Sequence, residues 1–229
     1  MLPVAILAGG FGTRLFPVTE RIPKALVEIG GEPFLAHQLR LLRDNGIERV
    51  VMCVGHYGGM IQEFAGDGQA FGIRVDYSWD GPVLLGTAGA LRQALPLLGD
   101  EFFVLYGDSY LPCCYADVEQ AFRRAGKAGL MTVFRNEGQW DRSNVEFSGG
   151  RILAYDKNVP TPAMHYIDYG LGVFHRSALD GGQSDLAAVY QDLLRRDDLA
   201  AFEVPERFYE IGSFEGIQEL SEFLARGGK

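Results

Sequence analysis

Basic residues are in deficit. The 229-residue chain carries 21 Lys and Arg against 30 Asp and Glu, a formal net charge of −9 at pH 7. Duplex DNA and anionic membranes are poor partners for it, because neutralising phosphate requires a basic face. A small anionic substrate stays allowed where a few cations converge or a metal ion bridges. Cysteine is scarce too. Cys53, Cys113 and Cys114 form an odd count with no Cys-x-x-Cys pair, which supports neither a zinc ribbon nor a disulfide framework. Reduced thiols are expected. His37, His56, His165 and His175 show no His-x-x-x-His spacing, so zinc catalysis has no support. Trp79, Trp140 and the tyrosines lack interleaved basic residues and do not suggest RNA binding. No apolar run approaches the ~20 residues of a membrane span, and no basic stretch precedes the first apolar run. A soluble, cytoplasmic protein is expected.

Glycine is present in excess, at 30 residues, nearly twice the usual ~7%. With no collagen-like period and no low-complexity tract, that excess belongs in turns and close backbone approaches. Hydrophobic residues make up 47% and charged residues 22%, close to the globular average. Disorder as the overall state is excluded, and a chain this long buries a sizeable core.

The apolar run 3–8 ends at Gly9-Gly10 and predicts a buried strand entering a loop. Helices are predicted over 33–45, 57–65 and 87–98, the last with Thr87 as N-cap, and strands over 47–54, 73–78 and 102–106. This alternation predicts a Rossmann-like α/β fold, a mostly parallel sheet with helices on both faces. After residue 128 the pattern changes to strands at 129–135, 143–148, 151–156 and 166–175, an antiparallel extension with a hairpin turn at Gly149-Gly150. Helices return at 185–196 and 214–226. No repeat or linker divides the chain, so one domain is expected. Periodicity does not tell a dimer edge from strands that fold back on the core, and leaves a homo-oligomer open.

The most informative segment is Leu7-Ala8-Gly9-Gly10-Phe11-Gly12-Thr13-Arg14-Leu15, followed by Pro23-Lys24. Open α/β sheets bind ligands at the carboxyl ends of their strands, where this loop falls. Glycines there let backbone N–H groups approach phosphate oxygens, and Arg14 and Lys24 supply positive charge. A dinucleotide fingerprint would need glycine where Leu15 stands, and a P-loop would need Ser or Thr after Gly126-Lys127, where Ala128 stands. The competing reading is a tight turn beside an unrelated arginine. Gly107-Asp108-Ser109-Tyr110-Leu111 begins like a nucleophile elbow but lacks its last glycine.

Leu7 through Leu15 with Pro23-Lys24-Ala25-Leu26 resembles the signature of the sugar-1-phosphate nucleotidylyltransferases, with Ala25 in place of the usual second proline. Leu85-Gly86-Thr87-Ala88-Gly89-Ala90, Gly107-Asp108, Asp156-Lys157, Ile167-Asp168-Tyr169-Gly170 and Tyr209-Glu210-Ile211-Gly212 match in order, so the resemblance spans nearly the whole chain. It implies a short family member, residues 1–229 as one nucleotidyltransferase domain without the C-terminal β-helix of long members. Its nucleotide-binding part would be about 1–128 and its sugar-phosphate-binding part about 129–229.

The resemblance implies roles residue by residue. Arg14 would meet the triphosphate and Lys24 would lie between the reacting phosphates. Leu7, Ala8, Gly9, Gly10, Gly12 and Thr13 would bind nucleotide, and Gly86, Thr87 and Ala88 would meet base and ribose. Asp108 would hold Mg²⁺, the competing reading being a turn cap. Glu210 stands where the family usually has its second metal-binding aspartate, with Ser213 for the usual threonine; glutamate also binds Mg²⁺ through oxygen. Asp156 and Lys157 replace a Glu-Lys-Pro segment, the proline being delayed to Pro160, and would hold sugar hydroxyls and the sugar phosphate. Asp168-Tyr169-Gly170 replaces Asn-Ala-Gly. There Asp168 accepts but cannot donate as an amide does, which would tune sugar choice.

The implied reaction joins a nucleoside triphosphate, with GTP favoured, to a sugar 1-phosphate such as heptose or mannose 1-phosphate. The nucleophile is already an anion, so positioning and charge stabilisation carry the chemistry. A uridylyltransferase acting on a hexose, amino-sugar or muramic acid 1-phosphate is one alternative. A non-catalytic nucleotide-sugar-binding regulator is another. A glycosyltransferase is disfavoured because the chain has no Asp-x-Asp.

Overall fold

The structure, a computed structural model, describes residues 1–10, 12 and 15–228. Strand β1 (Val4–Leu7) is followed by the ribbon β2 (Glu28–Ile29) and β3 (Glu32–Pro33), then α1 (Phe34–Asp44), β4 (Arg49–Val54), α2 (Gly58–Ala65), β5 (Arg74–Trp79), α3 (Gly86–Leu98) and β6 (Glu101–Tyr106). Strands β5, β4, β1 and β6 lie side by side and parallel, with Val4 opposite both Val50 and Phe103.

These strands are near-continuous apolar runs because both of their faces are covered. Val4 and Ile6, with Val50, Met52 and Val54, face one core, where Leu35, Leu39 and Leu42 of α1 and Ile61 of α2 pack. Ala5, Val51 and Cys53 face the other, against Ala88, Leu91, Ala94 and Leu98 of α3. The period of two along each strand thus sorts side chains between two helical layers.

The second half continues with β7 (Ser109–Tyr110), α4 (Tyr115–Ala125), β8 (Gly129–Arg135), β9 (Val145–Ser148), β10 (Arg151–Tyr155), β11 (Tyr166–His175), α5 (Leu186–Arg195), β12 (Leu199–Glu203), β13 (Tyr209–Glu210) and α6 (Phe214–Ala225). Strand β11 lies antiparallel between β6 and β8, and β12 runs parallel to β8. The β9–β10 hairpin turns at Gly149-Gly150 and joins through Tyr166 opposite Val145. The later strands therefore fold back and extend one nine-stranded sheet. The α/β expectation with an antiparallel extension holds.

Sequence reasoning passes over α4, whose Tyr115, Val118 and Phe122 are buried at helical spacing. It also misses β12 and the short β2, β3, β7 and β13. Their pairing comes from neighbours distant in the chain, such as Leu199 opposite Gly129, and leaves little local pattern. Helix α3 begins at Gly86 with Leu85 in the N-cap position, two residues earlier than the Thr87 cap expected. No helix among the described residues is long and apolar enough to cross a membrane.

Cys53 and Cys113 are buried and Cys114 is exposed. Burial pushes the Cys53 and Cys113 thiols each up to about 12. Native protein treated with iodoacetamide near pH 8 is therefore expected to be alkylated at Cys114 alone, and at all three positions once denatured. Peptide mass spectrometry checks this, and comparable native labelling of Cys53 contradicts it.

Candidate active site at the strand ends

Four backbone segments converge where β1, β4 and β6 end. The loop after β1 passes so close to the loop after β4 that a Cβ on Gly9 would stand 3.3 Å from the Gly55 nitrogen, and one on Gly55 would stand 3.0 Å from the Gly9 carbonyl oxygen. Side chains there would force the two loops apart. Leu7, Ala8, Gly9, Gly10 and Gly12, with Lys24, Gly86, Thr87 and Asp108, line one pocket of about 260 Å³. Nine residues nominated from the sequence thus share one cavity.

Lys24 and Asp108 meet in this pocket, Nζ donating to Oδ2 at 2.8 Å. Asp108 follows β6 on a turn that is pinned from several directions. The buried Gln38 of α1 donates its Nε2–H bonds to the Tyr106 carbonyl at 3.0 Å and the Ser109 carbonyl at 2.8 Å, one on each side of Gly107-Asp108. The Gly107 N–H donates to Leu7 O, and the Ile211 N–H to Asp108 O at 3.0 Å. Through that last bond and the pairing of Glu210 with Ser109, β13 delivers Glu210 beside the Asp108 turn. Gln38 carries no sequence signal of this duty, since one polar residue on a helix reads as surface.

The wall formed by Gly86 and Thr87 is clasped from the second half of the chain. Ala88 N–H donates to Ser184 O at 2.9 Å, and Leu186 N–H donates to Thr87 Oγ1 at 2.7 Å. Thr87 therefore satisfies the first turn of α5 rather than its own helix. Ala88 is fully buried in α3 beneath the wall. Asp80 and Leu84 also line the pocket, and sequence reasoning did not nominate them. Burial raises the Asp80 carboxyl above its ordinary value, against a bond from Leu85 N–H that lowers it.

Lys157 reaches the pocket through Tyr106, a lining residue, donating to its hydroxyl at 3.2 Å. Asp168 stands behind, with Oδ2 3.6 Å from Lys157 Nζ. Gly170 lies near Ser109 and Leu111. Asp156 makes a local turn. Its Oδ1 accepts the N–H groups of Asn158 and Val159 at 2.8 and 3.0 Å, a turn that holds the carboxyl below the usual range. Thr13 and Arg14, nominated for nucleotide and triphosphate, lie outside the described residues. Among the described residues no three His, Cys, Asp or Glu side chains cluster as a self-contained metal cage.

The profile of a family described as nucleotidyl transferase matches residues 4–143. A mannose-1-phosphate guanyltransferase beta-B of Xenopus laevis is 30% identical over 217 residues, covering 90% of this chain and 60% of its own length. A UTP–glucose-1-phosphate uridylyltransferase of Synechocystis is 36% identical over 191 residues, covering 76% of this chain and 49% of its own. The chain thus spans about half to 60% of these curated relatives. Among solved structures, HddC from Yersinia pseudotuberculosis complexed with GMP-PN superposes with a TM-score of 0.81 at 22% identity, covering 98% of this chain and all of that one. A Bacillus anthracis chain solved with sucrose reaches 0.88 at 21% identity, covering 100% of this chain and 97% of that one.

Proposed function

Because the chain belongs to the nucleotidyl transferase family, we propose that it forms a nucleoside-diphosphate sugar and pyrophosphate from a nucleoside triphosphate and a sugar 1-phosphate. The observation that carries this reading is the convergence of the glycine-rich loop, Lys24 and Asp108 in one pocket at the strand ends. A phosphate oxygen of the sugar 1-phosphate attacks the α-phosphorus. That bond forms as the bond from the α-phosphorus to the bridging oxygen breaks, and pyrophosphate leaves with the electron pair. Lys24 is assigned to the oxygens where charge grows, and Arg14 to the triphosphate. The loop N–H groups hold phosphate, and the clasped Gly86–Thr87 wall, with Ala88 packed beneath it, meets base and ribose. Residues 1–229 act in this reading as one unit, with the nucleotide in about 1–128 and the sugar phosphate in about 129–229.

Mg²⁺ suits the donor set. It is held by one or two carboxylates together with substrate phosphates rather than by an all-protein cage. Asp108 and Glu210, carried on adjoining backbone, are that pair, and the ion when bound would neutralise charge on the phosphates. Glu210→Asp is expected to retain substantial turnover and Glu210→Gln to lose most of it. Equal rates for all three forms, by pyrophosphate release at varied Mg²⁺, would remove position 210 from the metal site.

GTP with mannose or heptose 1-phosphate is the favoured pair, supported by the guanyltransferase relative and by the GMP-PN bound to HddC. The uridylyltransferase relative keeps UTP as the second reading. The test is pyrophosphate release with Mg²⁺ across a grid of nucleoside triphosphates and sugar 1-phosphates. One active pair fixes base and sugar. A blank grid with tight nucleotide-sugar binding makes the protein a binder instead.

A further inference from the structure

Asp168 is tied down on every side. Its side chain is only 4% exposed. Oδ1 accepts the Gly170 N–H at 3.1 Å, and Oδ2 accepts the Tyr155 hydroxyl at 3.3 Å while lying 3.6 Å from Lys157 Nζ. Its backbone N–H donates to Asn144 Oδ1 at 2.9 Å, and Asn144 also binds Asp156 N–H through its carbonyl and Tyr166 O through its own N–H. A carboxylate this enclosed offers little to a sugar hydroxyl. What it does reach is Lys157, whose ammonium lies 5.0 Å from the Tyr106 ring centroid and hydrogen-bonds the Tyr106 hydroxyl. Burial works against the Lys157 charge. The Asp168 carboxylate, Tyr106 and Asp185 together outweigh it, Asp168 contributing most among them, and hold the ammonium above its ordinary pKa.

We infer that Asp168 is a positioning residue for Lys157: it fixes the ammonium over the Tyr106 ring at the pocket rim, aimed at the phosphate of an incoming sugar 1-phosphate, and does not itself meet the sugar. This deepens the proposed function and rests on it for the identity of the substrate. A lysine stem is long and rotamer-rich, so holding it in place beforehand removes an ordering cost from binding. The phosphate dianion then shares a cation that is already charged and already placed.

Asp168→Asn tests this, because an amide keeps the shape and an oxygen for the Gly170 N–H while removing the charge. Reductive methylation of Lys157, followed by peptide mass spectrometry with Lys127 as internal reference, is expected to speed up about tenfold in Asp168→Asn. This readout needs no turnover. With an active substrate pair, KM for the sugar 1-phosphate is expected to rise about tenfold with KM for the triphosphate unchanged. In a Lys157→Met background Asp168→Asn is expected to add nothing further, since both changes remove one interaction. Thermal melting verifies that each variant is folded. Unchanged Lys157 reactivity overturns the inference, and so do additive losses in the double variant, which would place Asp168 on the sugar directly. Should no pair turn over in the wild type, the catalytic reading fails and the labelling result still decides the role of Asp168.

Discussion

Asp108→Asn is expected to lower pyrophosphate release on the order of 10³-fold while shifting the melting temperature by only a few degrees. The two effects separate because the carboxylate and its backbone do different work. The turn is held by main-chain bonds, Gly107 N–H to Leu7 O and Ile211 N–H to Asp108 O, and by Gln38 on the flanking carbonyls. None of these uses the Asp108 side chain. What the amide loses is the ion pair with Lys24 and the charge that would hold a divalent ion. The Lys24 and Asp108 side chains keep 15% and 21% of their exposure, so water partly compensates the stranded ammonium, and about 1–2 kcal/mol of stability is at stake. A paired measurement of turnover and thermal unfolding checks both halves. Near-wild-type turnover would take Asp108 out of the metal site. A collapsed melting transition would mean that the pair is structural.

Such a pair would also let an acidic chain bind the polyanions of the proposed reaction. A net charge of −9 repels a triphosphate at long range, so binding must come from local arrangement. At the pocket, backbone N–H groups of a glycine-rich loop would contribute without formal charge; Lys24 lines it and Lys157 stands on the lining Tyr106, each held by one carboxylate. Both cations are in place before a ligand arrives. The carboxylate at Lys24 is also the proposed metal ligand, whereas the carboxylate at Lys157 is enclosed and accepts from Tyr155 and Gly170 besides.

The part of this arrangement legible in the sequence is the part built from local pattern. Strand β1 running into Gly9-Gly10, the Leu35-Leu39-Leu42 face of α1 and the Gly149-Gly150 hairpin are each written within a dozen residues. The resemblance added Asp108 and Lys157, which lie far along the chain from Lys24 and the glycine-rich loop. Contacts that exist only after folding stayed invisible. Gln38 looks like any polar helical residue until α1 packs beneath the Asp108 turn. Thr87 looks like an N-cap, yet the folded chain gives its hydroxyl to α5, ninety-nine residues away. Asp168 reads as an acceptor open to sugar, and only the enclosing Tyr155, Gly170 and Lys157 suggest otherwise.

Gly86→Ala probes that hidden clasp and is expected to have the largest effect among non-catalytic changes. Gly86 opens α3 at φ +74°, and a Cβ there would stand 2.5 Å from the Ser184 carbonyl oxygen. That oxygen already accepts the Ala88 N–H, so the methyl group cannot be relieved by a side chain turning away. Either the 184–186 segment or the start of α3 must move, and with it the bonds Ala88 N–H to Ser184 O and Leu186 N–H to Thr87 Oγ1. The φ penalty is about 1 kcal/mol, and the clash with the lost bonds adds about 2 kcal/mol or more, together a fall of roughly 6–12 °C in melting temperature. Because Gly86 and Thr87 wall the pocket, the triphosphate KM is expected to rise at least about tenfold. Gly126→Ala supplies the control: Gly126 caps α4 at φ +61° with open space at its Cβ position, so it reports the left-handed backbone penalty alone. If the two variants melt together and bind triphosphate alike, the Ser184 contact does not brace the pocket. A deficit confined to Gly86→Ala would place the binding wall of the first half under the control of a strut from the second.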